Sequence, residues 1–475
     1  MKILFAASEA APFVKSGGLG DVMGALPRAI SETNDATVSV ILPLYPSIKH
    51  NPAFSLSYIC HFYTPLSWRN QYTGLFRAAS DNASLTYYFI DNEYYFGRGG
   101  YGYEDDGERF AFFSKAVLEA LPHIGFFPDI IHLNDWQCGF LPLFLKAFYQ
   151  KNARFARIRT VFTVHNIEYQ GKADPPFLAD VLGVDEYWRG AVTFDGLVNA
   201  MKTALVLSDR LTTVSRTYAH ELCHAYFAHG LHEIIKENMY KMTGIVNGLD
   251  SSLYAPDNDP YLEVPYSHQT PEGKEPAKRK LCAALGLHYD ENVPLFVMVS
   301  RLVPHKGLDL VRGVIQEICA SDIRFAVLGT GYAEYENMFY TAASHHPGKI
   351  AASITFDEAL SHLFYAGADF LLMPSKSEPC GLSQLIAMRY GTIPIVRETG
   401  GLVDTVPPIS PASDTGYGLT FKTFNAHDML DSIYRAISLF HDKSYFYTVR
   451  KRIMQVNTDW RCGAAEYMAL YQSIL

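Results

Sequence analysis

The sequence has no apolar run approaching the roughly 18 residues of a membrane span, so no membrane partner is expected. It also lacks any CxxC pair. Its seven cysteines (Cys60, Cys138, Cys223, Cys282, Cys319, Cys380 and Cys462) are scattered and odd in number. That pattern argues against a disulfide framework or a structural zinc site, and for free thiols in a reducing cytoplasm. There is no basic excess. The formal charge of −9 argues against nucleic acid or an anionic membrane surface as a partner. No secretory leader is expected either, because Glu9 interrupts MKILFAASEAAPF before a signal-type apolar core can form. If the protein binds an anion, it does so in a local site.

What is present points to an ordinary globular protein, with 48% hydrophobic residues. At 475 residues the chain is too long for one core, and two domains are expected. Short β-branched and aromatic runs alternate with helical-period segments. MKILFAA, ATVSVILPL, DIIHL, RTVFTVH and RLTTVS predict strands of the first half; VPLFVMVS, IRFAVLG, IAASITF, ADFLLMPS and TIPIVR predict those of the second. Helices are predicted at ALPRAISET, GERFAFFSKAVLEAL, GLDLVRGVIQEICA and from about Cys462 onward. Alternation of this kind gives parallel α/β sheets with ligand loops at the carboxyl ends of the strands. The polar stretch after GIVNGLD predicts a domain boundary near residue 250 and, between the domains, a cleft suited to a small molecule.

The candidate site residues lie at these strand ends. KSGGLGDV follows the first strand, with a helix expected to start near Asp21. It matches neither GxxxxGKS/T nor GxGxxG, yet its glycines and Lys15 suit close approach to a phosphate at a helix start. A tight turn with a solvated lysine is the other reading of this loop alone. In the second half, VSRLVPHKG places Arg301 and Lys306 on one loop, two cations suited to a diphosphate. Gly329 follows the next strand, but Glu334 replaces the third glycine of a dinucleotide fingerprint, so NAD is not indicated. SEPCGLSQL then presents Glu378 at a helix mouth, and Thr399, Gly400 and Gly401 form another turn.

The ordered set KSGGLGDV, YGYEDDGERFAFF, HLNDWQ, TVHNIEYQG, GIVNGLD, VSRLVPHKG, SEPCGLSQL and DWRCGAAEYMALY resembles the bacterial and plant-type glycogen (starch) synthases over nearly the whole chain. The resemblance implies an α/β protein of the GT-B fold, with two Rossmann-like doubly wound parallel-sheet domains facing a cleft. It implies an N-terminal domain over 1–246, a nucleotide-sugar domain over 247–455, and a helical tail over 456–475 packing back toward the first. The implied reaction is retaining transfer of glucose from the donor ADP-glucose to the non-reducing end of glycogen or another α-1,4-glucan primer. No cofactor and no metal are implied. The catalytic residues implied are Glu378, His165, Arg301 and Lys306. The implied substrate-binding residues include Lys15, which helps bind the sugar nucleotide, Gly17 and Gly18, which approach its diphosphate, Asp21 beside them, Asn247, which with His165 lines the donor glucose, and Asp135, near the acceptor side. The others are Gly329, Phe356 (toward the base), Cys380 (a packed small side chain rather than a nucleophile), Thr399, Gly400 and Gly401. Gln137 stands where many relatives carry histidine.

A retaining double displacement needs a second carboxylate about 5–5.5 Å from the first. Some related transferases have a glutamate eight positions on, where this chain has Ile386. One carboxylate fits a same-face mechanism in which the departing phosphate takes the acceptor proton and cations stabilise it. Blander readings exist for each residue: Glu378 as a helix cap, His165 as a buried hydrogen-bonded histidine, Asp135 as an N-cap. The alternatives by class are another retaining nucleotide-sugar glucosyltransferase, a non-catalytic glucan-binding relative, or a zinc metallopeptidase through HELCH (His220 to His224). The aromatic stretch TYYFIDNEYYFGRGGYGY is a candidate guide for the acceptor, against a packing role.

Overall fold

In the computed structural model, which describes residues 1–33, 35–78 and 80–475, the chain forms two compact units. Unit 1 comprises Met1–Gly248 and Trp460–Leu475; unit 2 comprises Leu249–Asp459.

Unit 1 contains β1 (Lys2–Ala6), β2 (Thr37–Pro43), β3 (Leu56–Leu66), β4 (Arg69–Ala78), β5 (Leu85–Asp91), β6 (Ile130–Asn134) and β7 (Arg159–Val164). Three short strands follow, β8 (Lys172–Ala173), β9 (Thr193–Phe194) and β10 (Leu197–Asn199), and then β11 (Arg210–Thr213) and β12 (Met242–Gly244). Nine strands form one sheet in the order β12-β11-β7-β6-β1-β2-β5-β4-β3, while β8, β10 and β9 form a small separate one. The large sheet is parallel from β12 through β5, and β4 and β3 fold back as an antiparallel hairpin. Parallel strands covered on both faces are apolar throughout, as in β1, where Ile3 to Ala6 are all fully buried.

Every strand predicted for the first half is present, but β3, β4 and β5 were not foreseen. The β3–β4 hairpin has one open face, so exposed residues break its apolar run, whereas β5, LTYYFID, is almost wholly buried and its apolar run was there to be read. The predicted helix near ALPRAISET starts earlier, spanning Gly18–Ser31, and a helix spans Asp106–Ile124. The C-terminal helix Trp460–Gln472 packs on the helix Gly18–Ser31, and its Tyr471 hydroxyl bonds His132 Nδ1 at 2.6 Å.

Unit 2 contains β13 (Leu295–Val299), β14 (Arg324–Leu328), β15 (Ile350–Ser353), β16 (Phe370–Met373), β17 (Ile393–Arg397) and β18 (Leu419–Phe421). They form one fully parallel sheet in the order β15-β14-β13-β16-β17-β18. The order runs outward in both directions from β13, which is doubly wound topology. The polar stretch after residue 250 is part of this unit's fold. Tyr254 and Tyr266 are buried in its core, and Asp259 is buried with its carboxylate bonded to His362 Nδ1 at 2.8 Å. Its low apolar content hides these few anchors from a periodicity test.

Candidate active site

In unit 1 the site residues gather at the carboxyl ends of β1, β6 and β7. After β1, Ala11 N–H bonds Gly20 O at 2.9 Å, turning the chain back onto the helix start. A Cβ on Gly24 would meet Ala11 O at 2.9 Å, and one on Gly20 would touch Lys15 at 3.1 Å. These two glycines let the loop lie against the helix. Gly17, the residue before the helix, has open space where a Cβ would sit, and Gly18 is the first helical residue. Lys15 Nζ sits 2.6 Å from Asp21 Oδ1 in the helix's first turn, where a carboxylate is also favoured by the helix dipole. Beneath the loop, buried Glu9 accepts a hydrogen bond from Ser16 N–H at 2.6 Å. Burial pushes the Glu9 carboxyl up, against the pull of that bond.

Asp135 directly follows β6, with φ of 57°, a left-handed conformation that sets its side chain back toward β7. Its Oδ1 accepts from His165 N–H at 2.8 Å and Asn166 N–H at 3.3 Å. Burial pushes the carboxyl up to about 7, against those two bonds. His165 follows β7, and burial lowers its imidazole to about 3, so the ring is neutral. Its Nε2 lies 2.9 Å from Asn134 Oδ1, whose amide nitrogen is assigned to Ala6 O and His132 O. That arrangement makes Nε2 the donor and Nδ1 an acceptor. Asn247, past β12, is buried with no partner for Oδ1 among the described residues. Gln137 Oε1 is likewise buried and unpartnered among them.

In unit 2 the pairing is ionic. Lys306 Nζ lies 2.6 Å from Glu378 Oε2, and Ser375 Oγ donates to the same oxygen at 2.9 Å. Glu378 is buried, which alone would push its carboxyl up. The Lys306 charge and the bonds from Lys306 and Ser375 more than offset that and hold it below the usual carboxylate range. Gly307, with φ of 76°, follows Lys306; a Cβ there would lie 1.9 Å from Pro374 O. Only glycine lets this loop dock on the end of β16 and bring Lys306 to Glu378. Arg301 is exposed on the same loop.

The remaining donor-side residues fall into two groups. Thr399 is buried, Gly400 precedes the short helix Gly401–Thr405, and Gly401 N–H bonds Glu378 O at 3.0 Å. A Cβ on Gly401 would fall 2.4 Å from Cys380 Cα, so this turn is packed directly onto the Glu378 loop, with Cys380 buried in it. Gly329 and Phe356 lie outside that cluster. Gly329 N–H is used by Ser353 O, and Ser300 O occupies the space of its missing Cβ; Phe356 is 81% exposed. Sequence reasoning missed Glu9, Asn134 and Ser375. Glu9 had its signal in plain view, a carboxylate ending an apolar strand.

The chain matches the starch synthase catalytic domain family over residues 2–237 and the group 1 glycosyl transferases over residues 287–443. It is 44% identical to a glycogen synthase of Exiguobacterium sibiricum, over 100% of this chain and 99% of that one. It is 45% identical to a glycogen synthase of Bacillus cereus over the full length of both. The chain belongs to the glycogen synthase family. It is a glycosyltransferase, with the two parallel-sheet α/β domains of the GT-B class. A solved catalytic domain of starch synthase IV from Arabidopsis thaliana, bound to ADP and acarbose, superposes with a TM-score of 0.91 at 32% identity, covering 100% of this chain and 99% of that one. A sucrose-phosphate synthase from Thermosynechococcus elongatus shares the fold, with a TM-score of 0.64 at 16% identity.

The metallopeptidase alternative does not survive the geometry. HExxH needs both histidines on one helix face, but the helix Arg216–Glu221 ends before His224. Among the described residues, no group of three or more His, Cys, Asp or Glu side chains is placed to hold a metal ion. No helix among them is long and apolar enough to cross a membrane. The aromatic stretch, weighed as acceptor guide against packing, is largely core as the packing reading has it: Tyr87, Tyr88, Phe89, Tyr95 and Phe96 are buried, while Tyr94 is exposed.

Proposed function

We propose that this member of the family transfers glucose from ADP-glucose to the non-reducing end of an α-1,4-glucan with retention of configuration, releasing ADP. The observation that carries the reading is the buried, ionised carboxylate of Glu378 past the end of β16, paired with Lys306 at 2.6 Å. Ile386, the position of a second carboxylate in some relatives, is a buried core residue. The bond from glucose C1 to the ADP oxygen breaks, and the bond to the acceptor O4 forms on the same face. The acceptor proton passes to the departing phosphate. Arg301 and Lys306 stabilise the charge on that phosphate, and Glu378 the positive charge developing on the sugar. Thr399, Gly400 and Gly401 fix the Glu378 loop and, with Cys380, shape the donor pocket.

In unit 1 we assign Lys15, Gly17, Gly18 and Asp21 to the approach of the sugar nucleotide. We assign Asp135 and Asn247 to sugar hydroxyls, with neutral His165 accepting one at Nδ1. The relative bound to ADP and acarbose supports an adenine nucleotide and a glucan-like ligand for this fold. The seven scattered cysteines, never spaced CxxC, support a reducing, cytoplasmic setting. The test is incubation with radiolabelled ADP-glucose or UDP-glucose and a glycogen primer. Label entering α-1,4-linked chain ends from ADP-glucose, with ADP released, is expected. Preference for UDP-glucose, or release of a β-linked product, overturns the corresponding part.

A further inference from the structure

The β3–β4 hairpin has two unlike faces. Phe62, Thr64 and Leu66 point to the side of the helix Asp106–Ile124, where Phe62 stacks on His123 with ring centroids 4.5 Å apart. On the other face stand Tyr58, His61 and Tyr63 of β3 and Tyr72 of β4. These rings form one connected surface. Tyr63 and Tyr72 are cross-strand partners with centroids 6.3 Å apart, and His61 stacks on Tyr72 at 5.6 Å. Tyr58 OH meets His61 Nδ1 at 2.9 Å. Yet Tyr58 is 52% exposed, Tyr63 57% and Tyr72 41%. Rings ordered against one another but left open to water are a poor use of apolar area unless something covers them.

We propose that this face is a glucan-docking platform, distinct from the transfer site, on which an α-1,4-glucan lies across Tyr58, Tyr63 and Tyr72. The proposal rests on the glucan-transferase reading for the identity of its ligand. Each exposed ring carries a hydroxyl or ring nitrogen at its tip, so it can stack on a sugar's apolar face and bond its rim hydroxyls. The neighbouring charges are already matched, with Lys49 Nζ 3.0 Å from Asp91 and 2.5 Å from Glu93, which suits a neutral polymer rather than a charged peptide. Pairing of two copies along the β3 edge is opposed by a register shift between Tyr58 and Cys60 and by Pro65, both of which blunt an edge strand.

Position supports the same occupant. β4 pairs with β5 only from Gly74 to Ala78, so the Tyr63–Tyr72 end of the hairpin overhangs the carboxyl end of β5. That is the rim carrying the loops after β1, β6 and β7. The order β1-β2-β5-β4-β3 puts the platform four strand spacings, roughly 19 Å, from β1 along that rim. A branched polymer held there keeps its chain ends near the acceptor residues of unit 1, raising their local concentration.

The test is native electrophoresis through glycogen-containing gels, read without turnover on Glu378→Gln protein, with and without Tyr63→Ala/Tyr72→Ala. The double change is expected to weaken glycogen retardation about fivefold or more, whereas Tyr63→Phe/Tyr72→Phe keeps most of it. In otherwise wild-type enzyme the alanine pair should raise the half-saturating glycogen concentration by a similar factor. Turnover on maltotetraose should not change. If the double alanine variant does not fold, Tyr63→Ala alone is read in the same gels. Wild-type retardation in a folded alanine variant overturns the platform. So does a shift in sedimentation from dimer to monomer with retardation intact, which would make the face a contact between copies. Failure of glucosyl transfer to any primer sinks the transferase reading instead, and the gel result stands apart from it.

Discussion

Asp135 in unit 1 and Glu378 in unit 2 are both carboxylates at the carboxyl end of a parallel strand, and burial pushes both toward the neutral form. They end up on opposite sides of neutrality. Glu378 has an ammonium 2.6 Å away and stays ionised. Asp135 has only two backbone N–H donors and is pushed up to about 7. Two peptide dipoles do not offset the lost hydration of a carboxylate, and a full charge does. The same residue chemistry therefore yields a fixed negative charge in one unit and a group that shares a proton near neutrality in the other. A fixed charge suits a cationic transition state; a carboxyl that both donates and accepts suits sugar hydroxyls.

The largest effect expected from this contrast is on Glu378. Glu378→Gln keeps the shape and the bond from Ser375 but removes the charge that favours the positive sugar. It is expected to lower kcat by about 10²-fold or more with little change in donor affinity, because the interaction grows mainly in the transition state. Steady-state kinetics at varied ADP-glucose check this. Wild-type kcat in the variant would remove Glu378 from the reaction.

Lys306→Ala tests the origin of the contrast. It leaves Glu378 buried and unpaired, making it resemble Asp135. The expected result is a loss of about 2–3 kcal/mol of unit 2 stability at pH 7 and a smaller loss at pH 5, where an unpaired carboxyl takes up a proton. Lys306→Arg should recover most of that stability. Thermal melts of the three proteins at both pH values measure it. Equal melting temperatures in all of them would mean that Lys306 is not what keeps Glu378 ionised.

Most of this architecture was legible because parallel strands are buried on both faces and so appear as largely apolar runs; β1, β13 and β16 show it unbroken from Ile3, Leu295 and Phe370 onward, while β6 and β7 carry buried His132, Thr160 and Thr163 within theirs. The hairpin β3–β4 was not, since an open face breaks the run into polar and aromatic alternation. The same logic separates the site residues. Lys15, Lys306 and Glu378 announce themselves by charge beside glycine. Ser375 and Asn134 matter through one hydrogen bond each, to Glu378 and His165, and a neutral side chain ending a strand carries no pattern of its own. Nor could spacing show that Lys306 meets Glu378, 72 positions away, rather than only a phosphate.

The smallest effect expected is also the most diagnostic of Asp135. Its carboxyl titrates near 7 in the folded protein and near 4 when unfolded, so between those values the folded state holds a proton that the unfolded state has released. This contribution therefore falls as pH rises through that window. His165 acts in the opposite sense: lowered to about 3, it costs stability on acidification below its unfolded value, so the wild-type profile mixes the two. Asp135→Asn isolates the first, because asparagine keeps an acceptor for His165 N–H and Asn166 N–H but has no proton to lose. The residue is only partly buried, so solvent softens the shift, and the difference should amount to about 1–2 kcal/mol, or roughly 2–4 °C in a domain of this size. The melting temperature of Asp135→Asn relative to wild type should climb by that amount from pH 5 to pH 7. Parallel melting curves across that range would place the Asp135 carboxyl in the ordinary carboxylate range and erase the contrast with Glu378.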